Sequence, residues 1–208
     1  MAAPSAPARR INGWLRPVPA WPIYILGFLY MAWLFWQALT GVSQEPIDWL
    51  ERAYGEVALQ LLVATLAVTP LRRFTGVMLV KYRRALGLMV FFFVLAHFTV
   101  WALLDVQALG AVWADIVKRP YITIGMAAFA LLIPLALSSN DRSLRRLGPV
   151  VWRKLHWLTY PIAVLGALHY IMLTKVYAPE PLIYMGLILA LLATRLPLSR
   201  LAEPRRAA

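Results

Sequence analysis

The chain holds three histidines, and all of them fall in long uncharged apolar stretches: His97 within residues 86–104, His156 and His169 within residues 155–174. Ionisable side chains are expensive in such surroundings and usually carry function there. An imidazole can donate one hydrogen bond, accept another, or bind a metal through its unprotonated nitrogen. For two of the three, the spacing favours the metal. His97 lies thirteen residues beyond Arg84, about 20 Å along a helix, and His169 lies fifteen beyond Lys154, about 22 Å. His156 comes thirteen residues before His169, about 20 Å nearer the other end. If the two helices run in the same direction, His97 and His169 share one depth. Facing imidazoles at one level can supply both axial ligands of a haem iron, which leaves no open position for oxygen and makes an electron carrier.

The composition says what must hold those helices. Of 208 residues 62% are apolar and 14% charged, against roughly 45–50% and 25% in soluble domains. A soluble monomer of this size cannot hide so much apolar surface, and a disordered chain would be poor in it. With no cysteine there is no disulfide, thiolate metal site or cysteine-ligated cluster. The uncharged stretches are residues 17–44, 57–71, 86–104, 120–140, 155–174 and 181–194. Four of them reach the roughly 20 residues that cross a bilayer as a helix. Of fifteen prolines only Pro134 and Pro161 stand well inside a stretch, and no period-two alternation points to a β-barrel.

Charge sign selects six spans over four. With six, seventeen of the 21 Lys and Arg fall on one side, and only Arg52, Lys118, Arg119 and Lys175 on the other. Seven of the nine acids join that basic-poor side. Lys and Arg accumulate in cytoplasmic loops, so both termini are expected inside. The expected organisation is a cytoplasmic N-terminal segment at 1–20, a six-helix transmembrane domain at 21–196 and a cytoplasmic tail at 197–208. The third and fifth spans then run in the same direction, as the histidine pair requires.

Other functions fit less well. No Asp, Glu, Lys or Arg stands in the middle of a span and no inverted repeat is evident, which argues against an ion-coupled or small-solute carrier. Nucleic acid binding needs a basic face on a soluble module. The first apolar run is too long and aromatic for a secretory signal. A cofactor-free anchor or assembly scaffold, its histidines only bonding helices together, is the main rival. Phe91, Phe92, Phe93, Phe98 and Trp101 around His97, and Gly166 one turn before His169, suit a pocket for a flat macrocycle. Trp21, Tyr24, Trp152 and Trp157 read as interface anchors. No G-x-G-x-x-G turn is present, so hydride from a nicotinamide cofactor is not taken up by this chain.

The stretches Tyr82-Arg-Arg-Ala-Leu-Gly-Leu-Met, His97-Phe-Thr, Lys118-Arg-Pro-Tyr-Ile-Thr-Ile-Gly, Trp152-Arg-Lys-Leu-His156, His169-Tyr and Pro181-Leu-Ile-Tyr together resemble the MsrQ family. These are haem-binding membrane subunits of a bacterial periplasmic protein-methionine-sulfoxide reductase system, related to ferric reductase transmembrane domains. The resemblance runs from about Trp49 to Leu192; the first span matches only in character. It implies a ferric reductase-like helix bundle in the inner membrane, carrying haem b and FMN. Its electrons would come from quinol or a cytosolic flavin reductase and go to a periplasmic molybdopterin-dependent subunit, so the chain would be an electron-transfer subunit, not the catalyst for the final substrate. His97, His156 and His169 fall on the family's haem-associated histidines, with His97 and His169 the axial pair and His156 serving a second haem or the inner end of the route. Relatives commonly carry two histidines on each of two helices. Here the third span has one, with Arg83 and Gly110 near the offsets of a second, which argues against a second bis-histidine haem. Arg83 and Arg84 are candidates to contact the FMN phosphate.

Overall fold

A computed structural model describes residues 5–174 and 178–195. Lys175, Arg200, Arg205, Arg206 and the tail at 197–208 lie outside the described residues. The described residues form helices and connecting turns with no strand: α1 (Ala6–Leu15), α2 (Trp21–Leu39), α3 (Pro46–Thr75), α4 (Arg83–Val100), α5 (Leu109–Lys118), α6 (Pro120–Ser138), α7 (Asp141–Leu155), α8 (Thr159–Leu173) and α9 (Pro179–Ala193). Prolines begin α3, α6 and α9, where a missing N–H is harmless and the fixed φ suits the first turn.

Among the described residues four helices are long and apolar enough to cross a membrane: α2, α3, α6, and α4 with its flanking turns, Val80–Asp105. The 57–71 stretch is the middle of the thirty-residue α3, whose charged ends continue the helix past the apolar run. By contrast α8 and α9 have fifteen residues each, about 22 Å at 1.5 Å per residue. A 3-10 turn, His156–Leu158, leads into α8. Past Val100 the α4 helix loosens into a π-turn, Trp101–Asp105, ending at Gln107 with φ 63°.

One core cluster joins Leu66 of α3, Val90 of α4, Leu132 of α6, Ala163 and Ala167 of α8 and Ile188 of α9; a second joins Leu34 of α2, Leu50 and Ala58 of α3, and Met89 and Phe93 of α4. Alanines completely buried on α8 let backbones approach, as membrane helices do when lipid supplies no hydrophobic drive for association. On α2 only Leu34 and Ala38 are buried, and Leu26, Leu29 and Trp36 stand more than 60% exposed. Such apolar surface needs a cover of lipid.

The basic segments gather at one end. Asn12 of α1 donates to the Gly76 carbonyl (3.0 Å) and accepts from the Met78 N–H (2.8 Å). Thus the N-terminal segment includes a helix pinned to the α3–α4 turn. Arg84 of α4 pairs with Asp141 of α7 (2.7 Å), and Arg73 of α3 donates to the Thr194 carbonyl after α9 (3.0 Å). Within α7, Gly148 takes φ 72°, a conformation natural to glycine, and splits the helix before Pro149.

Arg195 closes a gap that proline opens. Pro70 has no N–H to give the Leu66 carbonyl four residues back. The Arg195 Nη2 donates to that carbonyl at 2.7 Å, while Nη1 donates to the Tyr160 hydroxyl at 2.9 Å. One guanidinium thereby ties α3, α8 and the end of α9. Arg195→Ala should cost about 2 kcal/mol, typical of a hydrogen bond to a charged group, in denaturant unfolding of the detergent-solubilised chain. Pro70→Ala, which gives Leu66 an intrahelical partner, should reduce that cost; strictly additive effects would show that the two are uncoupled.

Candidate functional site

The fifteen residues from Arg83 to His97 make four turns of α4, so the helix starts at the basic end and delivers His97 near the other. Its Nδ1 lies 2.8 Å from the Glu51 carbonyl of α3. A carbonyl only accepts, so Nδ1 carries the proton and Nε2 the lone pair. His169, near the far end of α8, repeats this: its Nδ1–H donates to the Tyr121 carbonyl of α6 at 2.7 Å. The two rings stand 6.2 Å apart between centres, at 79° to each other. Both remain half-buried within the helix bundle.

These residues fit a haem iron. Two metal–imidazole bonds of about 2 Å, plus about 1 Å from each ring centre to Nε2, sum to about 6 Å, close to the observed separation. The tautomers are also right, because a metal ligand's other ring nitrogen typically donates to a carbonyl or carboxylate. A ring pair that only bonded helices together would not need both Nε2 atoms left over. Among the described residues no group of three or more His, Asp or Glu could hold a metal ion.

His156 stands apart from this pair. Its Nδ1–H donates to the Trp152 carbonyl of its own chain segment (2.9 Å), and its Nε2 is 3.4 Å from Ser139 Oγ. It borders a cavity of about 470 Å³ at the basic end, which Arg83, Arg84, Lys81 and Arg153 also line, with Trp152, Trp157 and Tyr160 as aromatic walls. No Asp or Glu lines it among the described residues. Its size lies within the range of small-molecule sites, and its basic rim with an aromatic wall suits a flat anionic ligand. Thus Arg83, Arg84 and His156 come together, some 20 Å along the helices from His97 and His169 by residue count.

Several neighbours differ from expectation. Trp152 makes contacts the sequence did not show: it stacks on His156 (3.8 Å between centres) and donates its indole N–H to the Ser138 carbonyl (2.8 Å). Phe92 packs on Phe28 of α2 and Phe93 on Tyr54 of α3, whereas Phe91 and Phe98 meet Phe129 of α6. Consecutive residues fan out around a helix, so adjacency in sequence did not mean a shared pocket. A Cβ on Gly166 would touch only Leu59 of α3, at 4.0 Å. Gly110 stands on α5, off the histidine helix. The sequence reading missed the Glu51 and Tyr121 carbonyls, since a backbone acceptor has no residue-type signal. It also missed Gly55 and Gly125, which lie against the two rings; both occupy helix interiors, where a glycine wants a reason.

A family model described as the ferric reductase like transmembrane component matches residues 52–167, more than half of the chain. A protein of Rhizobium meliloti is 48% identical over 188 residues, covering 89% of this chain and 87% of its own length. One from Brucella ovis is 46% identical over 189 residues, covering 88% and 85%, and one from Brucella melitensis gives the same figures. All three are named as the heme-binding subunit MsrQ of protein-methionine-sulfoxide reductase. The chain belongs to the MsrQ family. Within that family's ferric reductase-like region fall Arg83, Arg84, His97 and His156, with His169 two residues past its end.

Arg84 is both a cavity residue and half of the Asp141 pair. Its hydrogen bond and charge hold the Asp141 carboxyl below the usual range. A depressed folded value means stability present above the unfolded pKa of about 3.9 and lost as pH falls through the folded value. Asp141→Asn should therefore lower the unfolding midpoint slightly at neutral pH, and the two midpoints should converge in strong acid. Curves that stay parallel down to that range would show that the pair contributes nothing.

Proposed function

We propose that this MsrQ-family chain is an inner-membrane cytochrome b that passes electrons from the cytoplasmic side to a periplasmic molybdopterin-dependent methionine-sulfoxide reductase, the system for repair of oxidised proteins that its relatives' names describe in part. The observation that carries this reading is the His97–His169 pair, two backbone-anchored imidazoles 6.2 Å apart with both Nε2 atoms unspent. Haem b held there supplies one-electron ferric–ferrous chemistry. The chain's own residues fix both tautomers, would hold the iron through the two Nε2 atoms and keep the site among apolar helices.

The inner cavity serves as the entry station. Its arginines and Lys81 would neutralise an anionic cofactor, the FMN phosphate or the propionates of a second haem, while Trp152, Trp157 and Tyr160 offer flat walls. His156 is the one imidazole available on that side. With no nicotinamide-binding turn in the chain, electrons enter from quinol or from a separate cytosolic flavin reductase.

Six spans with both termini cytoplasmic make this direction possible, the domain running over 21–196 with the segment 1–20 and the tail 197–208 inside. Contacts among the basic segments support it. Asn12 meets Gly76, Arg84 meets Asp141 and Arg73 meets Thr194. Each pairing joins residues separated by an even number of the six expected spans. That parity requires α8 and α9 to cross together or not at all, and the approach of His169 to His97, at the end of the bundle away from His156 and the basic cavity, favours both as crossings.

The test is an absorption spectrum of the chain purified after haem-replete expression. A sharp Soret band that shifts on dithionite reduction is expected, and an apo spectrum would reject the cytochrome. His97→Ala and His169→Ala should each abolish the low-spin signal of the outer haem, and His156→Ala should leave it. If both outer substitutions keep the full low-spin signal, the pairing is wrong.

A further inference from the structure

The two imidazoles are held by the same device, built twice. His97 donates to the carbonyl of Glu51, and four residues later on α3 stands Gly55; His169 donates to the carbonyl of Tyr121, and four residues later on α6 stands Gly125. The spacing has a steric meaning. Each Cα–Cβ bond on a helix tilts toward the N-terminus, so a side chain at i+4 leans over the turn that ends in the carbonyl of i. Removing that side chain opens the carbonyl to a ring from the neighbouring helix.

The fit is close. A Cβ on Gly55 would lie 3.1 Å from His97 Nδ1 and 3.3 Å from Cε1; one on Gly125 would lie 2.9 Å from His169 Nδ1 and 3.0 Å from Cε1. Glycine weakens a helix relative to alanine, so its presence at both places answers a need for space. The ring cannot yield freely, because its Nδ1–H is bonded to the backbone it would have to leave. Gly186 of α9 offers the contrast, with nothing within 4 Å of its Cβ position.

We infer that Gly55 and Gly125 are positioning residues for the axial ligands: by opening the Glu51 and Tyr121 carbonyls they set the orientation and the electron richness of the two imidazoles. A methyl at either site pushes the ring off its carbonyl. The Nδ1–H then loses its acceptor and the imidazole becomes a poorer donor to iron, since an outer partner raises ligand basicity. The ferric state is stabilised less and the midpoint potential rises. Gly125, the tighter of the two, responds more.

This inference rests on the haem reading above. It is tested on the full chain purified with haem, comparing the parent with Gly55→Ala, Gly125→Ala and Gly186→Ala by absorption, electron paramagnetic resonance and redox titration. Gly125→Ala should lose most of the low-spin signal. Gly55→Ala should retain haem with a shifted low-spin resonance and a raised midpoint, and Gly186→Ala should match the parent. If Gly125→Ala fails to accumulate, Gly55→Ala decides alone, because a general packing defect would lower yield without moving the resonance or midpoint of the haem that remains. A haem-loaded parent whose resonance and midpoint are unchanged in Gly55→Ala, and in Gly125→Ala where it accumulates, would overturn this inference only; a parent without haem would overturn both it and the function proposed above.

Discussion

Two imidazole N–H groups must find partners where there is no water to supply them. In hydrocarbon an unpaired polar group costs several kcal/mol, and each ring solves this by donating to a backbone carbonyl on the adjacent helix. That single bond settles three matters. It puts the proton on Nδ1, fixes the plane of the ring, and sets the register of one helix against another, α4 on α3 and α8 on α6. The 6.2 Å separation is then the meeting of two independently docked helix pairs. A carbonyl already engaged within its own helix has a second lone pair to offer, so the helices lose nothing by lending it.

How much of this was legible in the sequence follows from what side-chain types can signal. Histidine is rare in apolar stretches, and a count of residues at 1.5 Å each puts His97 and His169 at one level; the structure brings those rings together. Arg83, Arg84 and His156 likewise share one cavity. What stayed hidden lives in the backbone or in rotational phase. The carbonyls of Glu51 and Tyr121 belong to residues whose side chains say nothing of the site. Phe92 and Phe93 adjoin Phe91 in sequence yet face other helices. The length of α3 was hidden because charged residues at both ends look like loop, although nothing prevents them from continuing a helix into the headgroup layer. The bond from Arg195 to Leu66 needed three distant residues, with Pro70 creating the vacancy.

The basic residues at one end of the bundle do structural work. Arg73, Arg84 and Arg195 hold segments together across the same end of the bundle, and Arg83 and Arg84 line the cavity there. A basic side chain there is thus available twice over, as a clasp between segments and as a counter-ion for an anionic ligand. The opposite end spends its charges locally instead: Arg52 pairs with Asp48 and Arg119 with Asp115, each four residues apart on one chain segment. Such exposed pairs contribute little stability, so that end relies on its helix contacts and on the two histidine bonds.

This difference distinguishes the two stations mechanically. His97 and His169 are each bonded to a second helix, so neither ring can turn without parting a helix pair. His156 bonds to a carbonyl four residues back in its own segment and stacks on Trp152 from that same turn. Its ring therefore moves with its own segment, tied to the end of α6 by the long 3.4 Å contact with Ser139 Oγ and, through Trp152, by the indole bond to the Ser138 carbonyl. The turn itself is 3-10 in form, and α7 before it is already split at Gly148. The His97–His169 site is thus held by bonds between helices, while the His156 side of the cavity is held mainly within one segment and by its contacts with the end of α6. In the proposed relay the His97–His169 pair would give iron a fixed ligand field and hence a defined potential, whereas an entry station meeting a separate donor would work better with room to adjust.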